Sequence, residues 1–297
     1  MNSYVKRLSM FAFSLVLPIA MPLFAFATEI AVEESRVSVS TLGGPFSSDA
    51  RLPKEIPAIL RIPSGDKVPA VLVVHGSTGI DGRGAMQARV LNQMGIATLE
   101  IDMWSPRQVR GPTNRPKVSL DVLPDIYGAL AFLNNHPRIQ AGKVGIVGFS
   151  YGGVLSMWTA FGVTPKALAS NPDLSFKAHV AFYPACDVWL KGGRAEKLAP
   201  LTNPTGAPVL VINGTSDDYD TEPEVCTRLP GEHPAVPFEV MMIQGATHAF
   251  DSDKDYPSWF DPTAKAGKGA NMRVQANPSE GQRARDRAAE FFKRHLK

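Results

Sequence analysis

The chain is 297 residues long, with 44% hydrophobic and 20% charged residues. That balance excludes a disordered or collagen-like polypeptide. A formal charge of +3 is too small and too dispersed for a nucleic-acid binder, and the two cysteines, Cys186 and Cys226, exclude a disulfide-dense scaffold and a four-cysteine zinc site.

In chain order, the first element is an address. Lys6 and Arg7 precede an apolar run from Leu8 to Phe26 that contains Pro18 and Pro22, and Ala25-Phe26-Ala27 is a small-x-small cleavage pattern. The pattern predicts a secretory signal peptide over residues 1–27, cut after Ala27. The alternative is an uncleaved anchor, because ~20 apolar residues can span a bilayer. Cleavage removes two cations, lowers the net charge from +3 to +1, and leaves residues 28–297 as a single periplasmic or secreted domain with no stable membrane insertion.

Val37 and Val39 then alternate with polar residues as a short strand, and Ile56–Ile62 reads as a second. Val68–Val74 is continuously apolar up to His75-Gly76, as in a strand buried on both faces. Residues 84–94 are helix-like, and Ile96–Ile101 is another buried strand, ending at Asp102. Leu123, Ile126, Leu130 and Leu133 recur at helical spacing. Lys143–Val147 predicts a strand, with a helix after Ser150. Ala178–Phe182, Val209–Ile212 and Phe238–Ile243 predict three more strands. A closing helix is expected from Ser279, with Gln282 completing a capping box. Ala284, Ala288, Phe291, Phe292 and Leu296 form its inner stripe, and Arg283, Arg285, Arg287, Lys293 and Arg294, mixed with Asp286 and Glu290, its solvated face. This alternation implies an α/β fold: a mostly parallel central sheet of about eight strands with helices on both faces. Such sheets place active groups at the carboxyl ends of their strands.

Gly148-Phe149-Ser150-Tyr151-Gly152 matches G-x-S-x-G. The pattern alone is common, falling by chance in about one chain in ten of this length. Its position between a strand and a helix is the setting of a nucleophile elbow, a tight turn that glycines two residues either side make room for. The alternative is a glycine-rich turn with a structural serine. A serine hydroxyl needs a base, and in this architecture an acid and then a histidine follow the serine. Of six histidines, only His248 lies just beyond a late strand. In Asn213-Gly214-Thr215-Ser216-Asp217-Asp218-Tyr219-Asp220, the spacing Gly-x-x-Asp selects Asp217, with Asp218 as the alternative. The amides of Tyr151 and Ser77 are the expected oxyanion donors. His75 is expected to be a structural ring that holds its loop.

These residues resemble the dienelactone hydrolase family of α/β-hydrolases over roughly residues 55–297. The likeness is carried by HGSTG at 75–79, Asp102–Gln108, the elbow GFSYGG, FYPAC at 182–186, NGTSDDYD, and GATHAF at 245–250. The family's namesakes use a cysteine nucleophile and a glutamate in the loop after the third strand; here Ser150 and Gly76 stand at those positions. The resemblance implies a Ser-His-Asp member in which Ser150, Asp217 and His248 cleave a small-molecule carboxylic ester or lactone, with no metal or organic cofactor. It maps the family's substrate-carboxylate arginine to Arg107, for which a structural ion pair is the alternative. A peptidase, an acyl-transferase, or a non-catalytic binding protein on the same fold are the rival readings.

Residues 251–278, with Tyr256, Trp259 and Phe260, read as a lid or as a surface Ω-type loop. Cys186 and Cys226 follow neighbouring strands and read as one disulfide, or as two buried thiols.

Overall fold

The computed structural model describes Met1 and residues 30–44, 46–47, 51–164 and 174–297. The expected signal peptide lies outside the described residues.

Among the described residues, ten strands and seven helices run in the order β1 (Val32–Ser40), β2 (Glu55–Pro63), β3 (Val68–Val74), α1 (Arg83–Gln93), β4 (Ala97–Ile101), α2 (Leu123–Asn135), β5 (Ile139–Phe149), α3 (Tyr151–Ala160), β6 (His179–Phe182), α4 (Arg194–Leu198), β7 (Val209–Gly214), α5 (Leu229–Glu232), β8 (Phe238–Ile243), β9 (Tyr256–Asp261), α6 (Ala264–Gly267), β10 (Ala270–Val274) and α7 (Pro278–His295). Eight strands form one sheet, in the order β1-β2-β4-β3-β5-β6-β7-β8. β1–β2 and β2–β4 pair antiparallel. The pairs from β4 through β8 are parallel.

The uninterrupted apolar runs have a direct cause. In β3, Ala70, Leu72 and Val74 point to a core shared with α2 and α3, whereas Val71 and Val73 point to a second core shared with α1 and α7. Alternate side chains thus feed opposite faces, so no position in the strand is left for a polar residue. In α7 the predicted inner stripe is fully buried. Two details of that helix differ from expectation. Pro278 occupies its first turn, so Asn277 is the cap and its side chain accepts a hydrogen bond from the Glu280 amide at 3.2 Å. Arg285 is not on the solvated face: it is buried and donates to the Asp251 carbonyl at 3.3 Å.

The segment read as a lid or Ω-type loop instead contains an antiparallel two-stranded sheet, β9–β10. Cys186 and Cys226 sit on short 3-10 turns after β6 and β7 and are joined through their sulfurs, with their Cα atoms 5.1 Å apart. That Cα separation lies in the range a bridge requires. No described helix is long and apolar enough to cross a membrane.

Candidate active site

The elbow is shaped by close approach of backbone to backbone. Ser150 adopts φ +52°, a left-handed value that costs a non-glycine residue energy. A Cβ on Gly148 would overlap the Gly152 carbonyl, and one on Gly152 would overlap the Val74 carbonyl. One on Gly153 would come within 2.8 Å of the Phe182 oxygen. The three glycines therefore let β5 turn into α3 with Ser150 at the tip. Positive φ also occurs at Tyr183, Ala185 and Ala249, three non-glycine residues that line the cavities at Ser150.

Three loops from separate strands meet there. His248, after β8, has Nε2 2.9 Å from Ser150 Oγ and Nδ1 2.8 Å from Asp217 Oδ2. Because a carboxylate only accepts, Nδ1 carries the proton and Nε2 is left to accept from the serine hydroxyl. Asp217 and His248 are both 5% exposed. Asp217 Oδ1 accepts a 2.9 Å bond from the Tyr219 amide, which fixes the second oxygen of the carboxylate. Asp218 faces away and pairs with Arg273 on β10 at 3.1 Å. The acid at the histidine is therefore Asp217, and the alternative carboxylate secures a neighbouring strand.

Tyr151 follows Ser150 in the chain and Ser77 lines a cavity with it, and neither amide donates to a backbone acceptor among the described residues. The loop that carries Ser77 is held by His75. Its Nε2 accepts from the Met103 amide at 3.0 Å, so Nδ1 carries the proton and donates to the Gly76 carbonyl at 2.8 Å. Burial pushes the His75 pKa down, which keeps the ring neutral and both bonds intact. Trp104 Nε1 adds a 3.0 Å bond to the Ser77 carbonyl.

Arg107 does not face the site. It is 4% exposed, bonds Asp125 through two nitrogens at 2.6 and 3.0 Å, and also donates to the Met103 carbonyl at 2.9 Å. With its fork satisfied by a buried carboxylate, it has nothing free for a substrate, so the expected substrate role for Arg107 is corrected to an internal ion pair. Arg115, Lys117 and Arg194 instead line a cavity of about 160 Å³ that opens onto Ser150 and His248. None of the three forms an ion pair among the described residues. Arg115 sits over the Tyr151 ring, 5.0 Å from its centroid, and donates to Ser77 Oγ.

Sequence reasoning missed the side chains that hold the histidine. Tyr183 meets the His248 ring edge-on at 4.7 Å, and Tyr219 packs against it at 4.4 Å. The Tyr183 hydroxyl donates to Asp251 at 2.5 Å and accepts from Arg83 at 2.9 Å. Burial pushes the Asp251 carboxyl up, and the Arg83 charge acts against it. A Cβ on Gly76 would lie 3.3 Å from Arg83 Nη2, so the guanidinium borders the place where the family's namesakes have a glutamate side chain. FYPAC was visible as a motif, but a tyrosine after a strand carries no local signal of its partner's identity.

A model of the dienelactone hydrolase family matches residues 56–296. A probable 2-oxo-3-(5-oxofuran-2-ylidene)propanoate lactonase from Bradyrhizobium is 26% identical over 196 residues, covering 62% of this chain and 74% of that protein. The dienelactone hydrolase of Anabaena variabilis superposes with a TM-score of 0.55 at 23% identity, over 90% of this chain and 99% of that one. A dienelactone hydrolase-like promiscuous phosphotriesterase from metagenomic libraries superposes with a TM-score of 0.59 at 17% identity, over 88% and 98% of the two chains. At these identities the structural likeness shows a shared fold.

Proposed function

This chain belongs to the dienelactone hydrolase family, hydrolases that act on ester bonds, and from that premise we propose that it is an exported serine hydrolase of carboxylic esters or lactones. The observation that carries the reading is the hydrogen-bonded chain Asp217–His248–Ser150 at the tip of the elbow. Ser150 Oγ attacks the carbonyl carbon while His248 Nε2 takes the hydroxyl proton. Asp217 holds the tautomer and stabilises the imidazolium that forms. The Ser77 and Tyr151 amides bind the developing oxyanion. As the intermediate collapses, His248 returns the proton to the leaving oxygen, leaving an acyl group on Ser150. A water then adds to that acyl carbon, with its proton going to His248, and the acid departs as Ser150 regains the proton. In a lactone the leaving oxygen remains tethered to the product.

The cavity lined by Arg115, Lys117 and Arg194 favours substrates whose one arm is negatively charged, since cations that form no ion pair among the described residues attract an anion most strongly where a cleft limits screening. Export rests on the Lys6-Arg7, apolar-run and Ala-Phe-Ala sequence pattern, and the bonded cysteine pair suits an oxidising compartment. On this reading residues 28–297 form one mature hydrolase domain.

A fluorophosphonate probe tests the chemistry: it labels Ser150, and p-nitrophenyl esters are cleaved in preference to peptide anilides. No labelling together with no ester turnover would overturn it. For export, the mature protein begins at Thr28 by mass spectrometry; recovery of the full chain in membranes would refute cleavage.

A further inference from the structure

A second cavity of about 200 Å³ also reaches Ser150 and His248, shares only these two and Tyr219 with the lining of the basic one, and has the β9–β10 hairpin as a wall. Its lining there is Tyr256, Pro257, Trp259 and Val274, and Pro112 also lines it. Strand alternation alone would send Tyr256 and Trp259 to opposite faces, because they are three residues apart. The pairing shows how they come together: Met272 pairs with Trp259 and Val274 with Tyr256, so two steps along β10 match three along β9. This bulge turns both rings to the same side, a common use of bulges near active sites. Phe260, next in the chain, points outward and is 63% exposed.

The hairpin is tied to the loops that carry the acid and the base. Tyr219, whose ring packs on His248, donates its hydroxyl to Asp261 at the end of β9 at 2.5 Å. The Lys265 amide donates to the Tyr219 carbonyl at 2.9 Å, and the Gln275 amide to Thr247 Oγ1 at 2.9 Å. The charged groups on the inner side of the cavity are mutually satisfied, with Arg83 Nε 3.0 Å from Asp81 Oδ1. Space for one ring, the aromatic side chains of Tyr256 and Trp259, and paired charges define the ligand chemistry. A cavity of ~150 Å³ is enough to take up benzene, and aromatic pairs gain attraction beyond their burial alone.

We propose that the hairpin builds a specificity pocket for an aromatic ring on one arm of the ester, in a cavity at Ser150 separate from the basic one. The proposal rests on the hydrolase reading above, and it adds the substrate class: esters with an aryl or arylmethyl group next to the scissile bond.

The test measures acid release by titration from methyl acetate, benzyl acetate, methyl phenylacetate and cyclohexylmethyl acetate, so that a ring is offered on either arm and with or without aromaticity. One of the two aromatic esters exceeds methyl acetate in kcat/KM by about tenfold or more, the discrimination that a pocket of ring size supports. If the preferred ring is on the alcohol arm, benzyl acetate also exceeds its cyclohexylmethyl counterpart. In Trp259→Ala the ratio of aromatic to methyl ester falls by about tenfold, and Trp259→Phe restores most of it, with melting temperatures showing that both variants fold. In parallel, 4-fluorobenzyl alcohol is titrated by fluorine NMR: its signal broadens with the wild-type protein and much less with Trp259→Ala. Ester cleavage with a ratio that Trp259→Ala leaves unchanged would overturn the pocket. Fluorobenzyl binding that depends on Trp259 without cleavage of any ester would uphold the pocket and overturn the hydrolase reading.

Discussion

The elbow around Ser150 and the β9–β10 hairpin border the same cavity, but they are held in different ways. At the elbow, backbone packs on backbone with only glycine between, so its geometry follows from which residues lack a Cβ. The hairpin is tied down largely by side chains reaching across the molecule, Tyr219 to Asp261, Arg273 to Asp218 and Thr247 to Gln275, beside the buried Met272 and Val274 and one backbone bond from Lys265 to Tyr219. A turn shaped by excluded volume tolerates no change at its glycines. A wall hung on polar contacts is free to vary its lining, and that is where selectivity among substrates is expected to reside.

The comparison breaks first if the elbow does not carry the chemistry. Ser150→Ala or His248→Ala is expected to lower kcat by up to ~10⁶. Asp217→Asn lowers it by up to ~10⁴, and Asp218→Asn far less, because Asp218 only ties down β10. Wild-type turnover in Ser150→Ala, or a crippled Asp218→Asn, would reverse these assignments.

A disulfide lies beneath the acid loop, and closing its 40-residue span contributes up to about 4 kcal/mol in the chain-entropy model. Reduction is expected to lower the melting temperature, and the unfolded, unreduced protein should titrate no thiols; two thiols would show the pair unbridged. Gly148→Ala tests the steric account of the elbow. Its methyl has no space against the Gly152 carbonyl, and a loss of ~3 kcal/mol or failure to fold is expected in denaturant unfolding. A near-neutral result would mean that the turn is not held by excluded volume.

On the hairpin side, Tyr219→Phe removes the bond to Asp261 and is expected to cost ~1–2 kcal/mol. Hydrogen exchange should quicken in β9 and β10 amides and leave β5 unchanged; faster exchange in β5 would mean that the two regions unfold together.

A last expected effect is a slope with pH. Burial, with the charges of Asp217 and Asp187 added, pushes the Asp220 carboxyl from 3.8 up to about 8. Between those values the folded protein keeps a proton that the unfolded chain has released, so Asp220 makes stability fall as pH rises through that window. Asp220→Asn should flatten the decline in melting temperature between about pH 4 and 8. A decline of the same steepness in the variant would assign it to other groups.

The sequence by itself determined the strands of the central sheet, the order of the chemistry-bearing loops and the elbow. Each rests on a local rule: an apolar run with helices on both faces, glycines where Cβ atoms would collide, and an acid and a base after late strands. Only the tertiary structure decided between Asp217 and Asp218, paired Arg107 with Asp125 instead of a substrate, and brought Arg115, Lys117 and Arg194 to one cavity. It also turned residues 256–274 into a hairpin whose bulge aims Tyr256 and Trp259 inward. The physical reason is common to these cases. A carboxylate, a guanidinium or an indole has no local preference strong enough to name its partner, and the partner is set by what the fold brings within about 3 Å of it across tens of residues of chain.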